Sequence, residues 1–217
     1  MKDVIVLSIL RTQNLKFSYE NNKIILDDIN VEFEQGRIYA ILGSSGCGKT
    51  TFLSLLGGLD RPSDGKILYH GKSLDEIGYE TYRHDHICFV FQNYNLVEYM
   101  TAAENVRLIV DQNPASILNK VGLSADEQKR NVLKLSGGQQ QRVAIARALA
   151  SPAKIILADE PTGSLDEETS VEIMKLFIDQ VREFEKCAII VTHSPVVAQM
   201  ADTIFQISRG HIEYCDV

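Results

Sequence analysis

The sequence predicts an α/β fold built on a parallel β-sheet, and three observations predict it. Two short runs, Ile155 to Ala158 and Cys187 to Val191, are apolar at every position, as strands covered by helices on both faces are. Between them lies a long helical segment with Val171, Met174, Ile178 and Val181 on one face. Upstream, a strand-like run with Ile38, Tyr39, Ile41 and Leu42 feeds a glycine-rich loop and then a helix. A chain of 217 residues accommodates one sizeable domain with a small lobe rather than two independent ones.

The elements follow in order. Met1-Lys2-Asp3 and the apolar stretch Val4 to Leu10 faintly imitate a signal peptide, but the apolar part is short and Asp3 interrupts the basic start. With no small-residue cleavage site after it, the segment reads as a β-strand. The first third is β-rich: Val31 and Phe33 belong to one strand and Ile38 to Leu42 to the next, split by the turn signal Gln35-Gly36. A helix begins near Lys49 and ends at Gly57-Gly58. Another strand, Lys66 to Tyr69, lies between the turn signals Asp64-Gly65 and His70-Gly71. The middle is helical. Thr101 and Glu104 form a capping box before Val106, Leu108 and Ile109, and Gly122 closes a short helix carrying Ile117, Leu118 and Val121. Ser136-Gly137-Gly138 opens a helix rich in alanine and arginine that Ser151-Pro152 stops. Ser194-Pro195 supplies an N-cap and an N1 proline for the last helix. With no internal repeat, low-complexity tract or linker, the economical organisation is one domain, 1–217, with a helical insert at about 93–150.

Composition bounds the function. Hydrophobic residues make up 45% and charged residues 24%, the balance of a folded globular protein. The net charge of -7 gives a surface that as a whole attracts neither nucleic acid nor anionic lipid. No run approaches the roughly 18 apolar residues of a bilayer-crossing helix, so any membrane role comes through a partner. The four cysteines, Cys47, Cys88, Cys187 and Cys215, form no C-x-x-C pair and have no histidine at metal-finger spacing. Free thiols in a reducing cytosolic compartment fit them better than disulfides, with Cys88 and Cys187 buried in apolar runs.

The chemistry concentrates in two segments. Gly43-Ser44-Ser45-Gly46-Cys47-Gly48-Lys49-Thr50, followed by Thr51, fits G-x-x-x-x-G-K-[ST] between a strand and a helix. Glycines let backbone N–H groups curl around phosphate oxygens, and the helix N-terminus presents a positive dipole end. Lys49 is placed to reach β- and γ-phosphates and the Thr50 hydroxyl to ligate Mg2+. Ile155 to Ala158 then ends in Asp159-Glu160. A carboxylate at the end of a buried strand is held beside the metal, and the next one can deprotonate or orient an attacking water. Alone, two acids after a strand would more often cap the following helix. Paired with a phosphate loop, they read as the catalytic half of an ATP site.

Leu135-Ser136-Gly137-Gly138-Gln139, with Gln140 to Leu149 after it, resembles the signature segment of ATP-binding cassette (ABC) ATPases. S-G-G-Q alone is a weak motif. In this order, after a phosphate loop and before Asp-Glu, it is specific, and the resemblance covers the chain from about Leu10 onward. It implies a P-loop NTPase core with a parallel sheet, an N-terminal antiparallel β subdomain and a small helical subdomain. It also implies that Tyr19 stacks on adenine, that Gln92 touches Mg2+ and the water and senses the membrane partner, and that His193 contacts the γ-phosphate. Asp166, in Ser164-Leu165-Asp166, implies communication across a dimer. Leu135 to Gln139 would act on the ATP of a second copy, closing a head-to-tail homodimer around two nucleotides.

Within that family, Phe91 to Leu96 and Asp159 to Asp166 look like the ATPases of macrolide, antimicrobial-peptide and lipoprotein-releasing systems, which implies an export or extracytoplasmic-release role. ATP and Mg2+ are then the cofactors. The partner is a membrane-spanning subunit on a separate chain, the location is the cytoplasmic face of the membrane, and nucleic acid is no partner. One departure stands out. Between Val110 and Leu135 the chain looks about one helix shorter than the family, with Asp111-Gln112-Asn113-Pro114 where a longer helix would run. Other readings compete. A regulatory ATPase acting on a membrane complex without translocating a substrate would carry the same site, and only the partner separates the two. A DNA-repair or translation ATPase would need long inserts or tandem cassettes, and a nucleotide kinase has no use for Leu135 to Gln139.

Overall fold

The computed structural model describes residues 8–19, 23–110 and 113–215. Two sheets organise them. The first is antiparallel and N-terminal: β1 (Ser8–Ser18) pairs with β2 (Ile24–Ile29), β3 (Glu32–Glu34) and β5 (Asp64–Tyr69), while β6 (Lys72–Ser73) pairs with β5. The second contains β4 (Ile38–Leu42), β7 (Ile87–Phe91), β8 (Ile155–Asp159), β9 (Cys187–Val191), β10 (Thr203–Ser208) and β11 (His211–Cys215), in the order β11-β10-β4-β9-β8-β7. It is parallel from β10 to β7, with β11 antiparallel at one edge.

Why the central strands are apolar at every position is visible in their packing. Along β8, Ile155 and Leu157 join one core cluster while Ile156 and Ala158 join the other, and β9 alternates in the same way. The first cluster is filled by α1 (Lys49–Leu56) through Phe52, Leu53, Leu55 and Leu56, and by the inner face of the antiparallel sheet. The opposite face is covered by α7 (Gly137–Ala150) and α8 (Glu167–Glu183). Each fully buried Ile, Leu or Phe contributes about 1.5–3 kcal/mol, so this double covering fixes the strand ends that carry the site.

The remaining helices are short: α2 (Leu74–Ile77), α3 (Tyr79–Asp85), α4 (Ala102–Arg107), α5 (Ala115–Lys120), α6 (Ala125–Gln128) and α9 (Pro195–Ala198). All of α4 to α7 lie between β7 and β8. The Thr101–Glu104 capping box is present, but α4 stops at Arg107 rather than running through Leu108 and Ile109. A tight turn, Ile109 N to Val106 O at 3.0 Å, closes it. Leu108 and Ile109 are therefore exposed while Val106 is buried.

Two further expectations change. Asp64-Gly65 is not a turn but the start of β5, where Gly65 has φ +81° and an added Cβ would meet Asn14 O at 2.3 Å. The β1–β5 register shifts there, so the glycine serves a bulge. On α8 the buried face is Ile173, Met174, Phe177, Ile178 and Val181, with Val171 only half-buried. Of the expected N-terminal strand, Ser8 to Leu10 lie in β1, and Val4 to Leu7 lie outside the described residues. So do Asp111 and Gln112 of the segment expected to be shortened.

Candidate functional site

Strand β4 ends in the glycine-rich loop, and α1 begins at Lys49 with Gly48 as its N-cap. Gly46 and Gly48 have φ of +76° and +107°, a region that favours glycine. Gly48 is doubly required, since an added Cβ would lie 3.0 Å from Ile25 Cγ2. The Lys49 ammonium folds back and donates to Gly43 O at 2.8 Å and Ser44 O at 3.0 Å, bracing the loop. Cys47 turns inward: an added Cβ on Gly43 would meet its Sγ at 2.5 Å.

The acids arrive from the neighbouring strand. Asp159 ends β8, and the Thr50 hydroxyl donates to its Oδ1 at 3.4 Å. Burial raises the Asp159 carboxyl above the usual aspartate range, and the charge of Glu160 adds to this. Glu160 follows with φ +46°, a left-handed conformation that costs a non-glycine residue energy and tends to mark functional sites. Its amide bonds to Val191 O at 2.9 Å, tying the turn to β9. His193, just past β9, meets the same group: its Nδ1 is 2.9 Å from Glu160 Oε2, and its backbone N–H donates to that oxygen at 3.2 Å.

Ser45, Gly46, Lys49, Thr50, Asp159, Glu160 and His193 thus converge on one cavity of about 240 Å³. Gln92, directly after β7, is not among the lining residues; its Nε2 lies 3.0 Å from the position of an added Gly163 Cβ, and Glu160 Cβ lies 3.4 Å from the same point. Tyr19 is half-exposed near the far end of the loop, its hydroxyl 3.3 Å from Thr51 Oγ1. The Leu135 to Gln139 segment is not among the residues lining that cavity. Ser136 caps α7 in a reciprocal box with Gln139, and Gly138 packs on the first turn of α8 at Thr169. Asp166 is the N-cap of α8, accepting from Thr169 N at 2.9 Å and Thr169 Oγ1 at 2.7 Å.

This arrangement can hold an anion at a helix N-terminus next to a cation, with two carboxylates opposite. The donor set also fits magnesium. Thr50 and Asp159 offer oxygen only, and no cluster of three or more His, Cys, Asp or Glu side chains able to hold a metal occurs among the described residues. A hard ion that keeps waters and takes phosphate oxygens needs no more protein ligands than that. Sequence reasoning assigned no role to Tyr94 or Arg147; the structure sets the Tyr94 hydroxyl near Gly137 and Arg147 on the Tyr94 and Asn95 carbonyls. The only available signal was the pattern of left-handed residues, which a sequence without Gly there does not announce.

The family model described as ABC transporter matches residues 26–163. An uncharacterized ABC transporter ATP-binding protein of Bacillus subtilis, YclH, is 45% identical over 94% of the chain and 95% of its own length. The macrolide export ATP-binding/permease protein MacB of Bartonella quintana is 40% identical over 97% of the chain, which spans 33% of that longer protein. The ATP-binding cassette MJ0796, in a dimeric post-hydrolysis structure bound to ADP and Pi, superposes with a TM-score of 0.81 at 34% identity, covering 96% of this chain and 99% of that one.

Proposed function

The chain belongs to the ABC transporter ATPase family, and on that premise we propose that it powers a separate membrane-spanning partner through ATP-driven head-to-tail pairing of two copies. It is an ABC-type ATP hydrolase. The observation that carries the site assignment is the convergence of Lys49, Thr50, Asp159, Glu160 and His193 on one cavity.

ATP lays its phosphates in the loop from Gly43 to Thr51, against the N-terminus of α1. Lys49 exchanges the Gly43 and Ser44 carbonyls for β- and γ-phosphate oxygens, so the loop is preformed before nucleotide arrives. Tyr19 stacks on the adenine. Thr50, Asp159 and Gln92 would hold Mg2+, which would neutralise charge on the phosphates. Glu160 accepts the proton of the attacking water, and His193 shifts from Glu160 to the γ-phosphate. Leu135 to Gln139 of a second copy close the open side, with the N–H groups at the start of α7 facing the γ-phosphate. Loss of that phosphate removes the contacts that hold the pair together, and the difference drives the partner.

No helix among the described residues is long and apolar enough to cross a membrane, which is compatible with a spanning part on another chain. The likeness to MacB, whose name joins ATP-binding and permease functions, supports an export or release role at the cytoplasmic membrane face. The net charge of -7 argues against nucleic acid.

Complementation tests the pairing. Ser136→Arg and Lys49→Ala chains are each expected to be inactive, and mixing them creates one composite site with neither defect. Recovery of ATPase activity on mixing is the expected result. A mixture as dead as its components, together with no ATP-dependent crosslink between cysteines placed at Ser45 and Gly138, would sink the head-to-tail arrangement.

A further inference from the structure

Gly137 is closely bounded by two side chains. An added Cβ there would lie 3.0 Å from the Tyr94 hydroxyl and 3.3 Å from Leu165 Cδ2. Tyr94 comes two residues after Gln92 in the same chain, so a residue of the metal-side loop rests on the first residue of the signature helix.

The backbone behind Tyr94 is held in an unusual state. Tyr94 and Asn95 are both left-handed, with φ of 49° and 46°, and consecutive non-glycine residues there persist only when their surroundings hold them. Arg147 does so. Its Nη1 donates to Asn95 O at 2.7 Å and its Nη2 to Tyr94 O at 3.5 Å. Arg147 forms no ion pair among the described residues, and its guanidinium donates to these carbonyls. It also sits on α7, ten residues beyond Gly137 and about 15 Å along that helix. The loop after Gln92 therefore meets α7 twice: the Tyr94 hydroxyl packs close to its first residue, and Arg147 bonds two loop carbonyls further along it.

We propose that Tyr94, clamped by Arg147, is a positioning residue that makes the Gln92 loop and the signature turn of one chain a single mechanical unit. This rests on the paired reading above. The loop that senses a chain's own nucleotide then sets how its signature meets the nucleotide of the second copy. Coupling of this kind runs through packed side chains and hydrogen bonds joined to a rigid element, and α7 with its bound loop is such an element.

The test uses Glu160→Gln protein, in which ATP is retained, and compares it with added Tyr94→Ala, Tyr94→Phe, Arg147→Met and Arg147→Lys. Sedimentation velocity with MgATP reads pairing, equilibrium dialysis reads ATP affinity, and thermal melting reads folding. Tyr94→Ala and Arg147→Met are expected to raise the concentration needed for half-pairing by about ten-fold, a coupling of ordinary size, with ATP affinity unchanged. Arg147→Lys, which can still reach one carbonyl, recovers part of the loss. Tyr94→Phe, which removes only the hydroxyl over Gly137 and leaves the fold intact, weakens pairing to a lesser degree. Pairing of Tyr94→Ala and Tyr94→Phe equal to the parent overturns the proposal, as does a parallel loss of ATP affinity. A parent that itself fails to pair overturns the paired reading, and the coupling with it.

Discussion

Glu160 Oε2 is bracketed by His193, which approaches it with its ring Nδ1 at 2.9 Å and its backbone N–H at 3.2 Å. The two residues come from the ends of adjacent parallel strands, β8 and β9, whose register sets Asp159 opposite Val191. The carboxylate is thus occupied by the very residue expected to serve the γ-phosphate. On the proposed mechanism the pair separates before hydrolysis, which would link the availability of the base to the arrival of nucleotide.

Removing the base should leave binding intact. Glu160→Gln is expected to bind ATP with near-parental affinity and to hydrolyse it about 10²-fold more slowly or worse, the usual scale of a general-base loss. Single-turnover kinetics check this, and turnover within a few-fold of the parent would take the role away from Glu160.

Asp159 should trade stability for function. Its folded pKa lies above the ordinary value, first through burial and then through Glu160. Its contribution to stability is therefore fully present below the unfolded pKa and lost as pH rises through the folded pKa. At neutral pH the ionised carboxylate is a cost. Asp159→Asn is expected to raise the Tm of nucleotide-free protein by roughly 2 °C, a shift typical of a modest change in a chain this size, while Mg2+-dependent hydrolysis collapses. The Tm gap should shrink as pH falls through the acidic range. A lower Tm at neutral pH would contradict the sign.

Thiol chemistry should find Cys47. Burial pushes the Cys88 thiol up to about 12 and the Cys187 thiol higher still, which suppresses both nucleophiles. Cys47 lies inside the phosphate loop with its sulfur against Gly43, where an adduct would deform the cradle. N-ethylmaleimide is expected to inactivate the ATPase, MgATP to protect it, and Cys47→Ala to be resistant. An active Cys47→Ala protein inactivated just as fast would move the sensitive thiol to Cys215.

Much of this was legible in the sequence because the local signals were backed by burial. The all-apolar runs at 155–158 and 187–191 are strands covered on both faces, and Thr101, Ser136 and Ser194 cap helices as their positions suggest. Periodicity misled at Leu108 and Ile109, since apolar character says nothing about where a helix stops. The turn signal at Gly65 became a bulge because Asn14 of β1 crosses it, a contact between strands far apart in the chain. The contacts of Tyr94 with Gly137 and of Arg147 with Asn95 were hidden for the same reason. They join segments more than forty residues apart, and neither residue type announces its partner.

Asp166 caps α8, and a pair of substitutions can separate that role from the proposed communication across the pair. Its carboxylate accepts from the amide and hydroxyl of Thr169, and those bonds hold its pKa below the usual aspartate range. The stability it lends is present above the unfolded pKa and lost as pH falls through the folded one. Asp166→Ala removes the cap of the seventeen-residue α8 and is expected to lower both Tm and ATPase activity. Asparagine caps helices about as well as aspartate, so Asp166→Asn should restore the Tm near neutral pH while flattening its decline in acid. If the carboxylate also communicates across the pair, activity will not return with stability: a deficit of about ten-fold is expected, on the scale of a modest coupling between sites. Thermal melts across pH, alongside ATPase assays on both variants, decide it. Full activity in Asp166→Asn would confine Asp166 to its capping role.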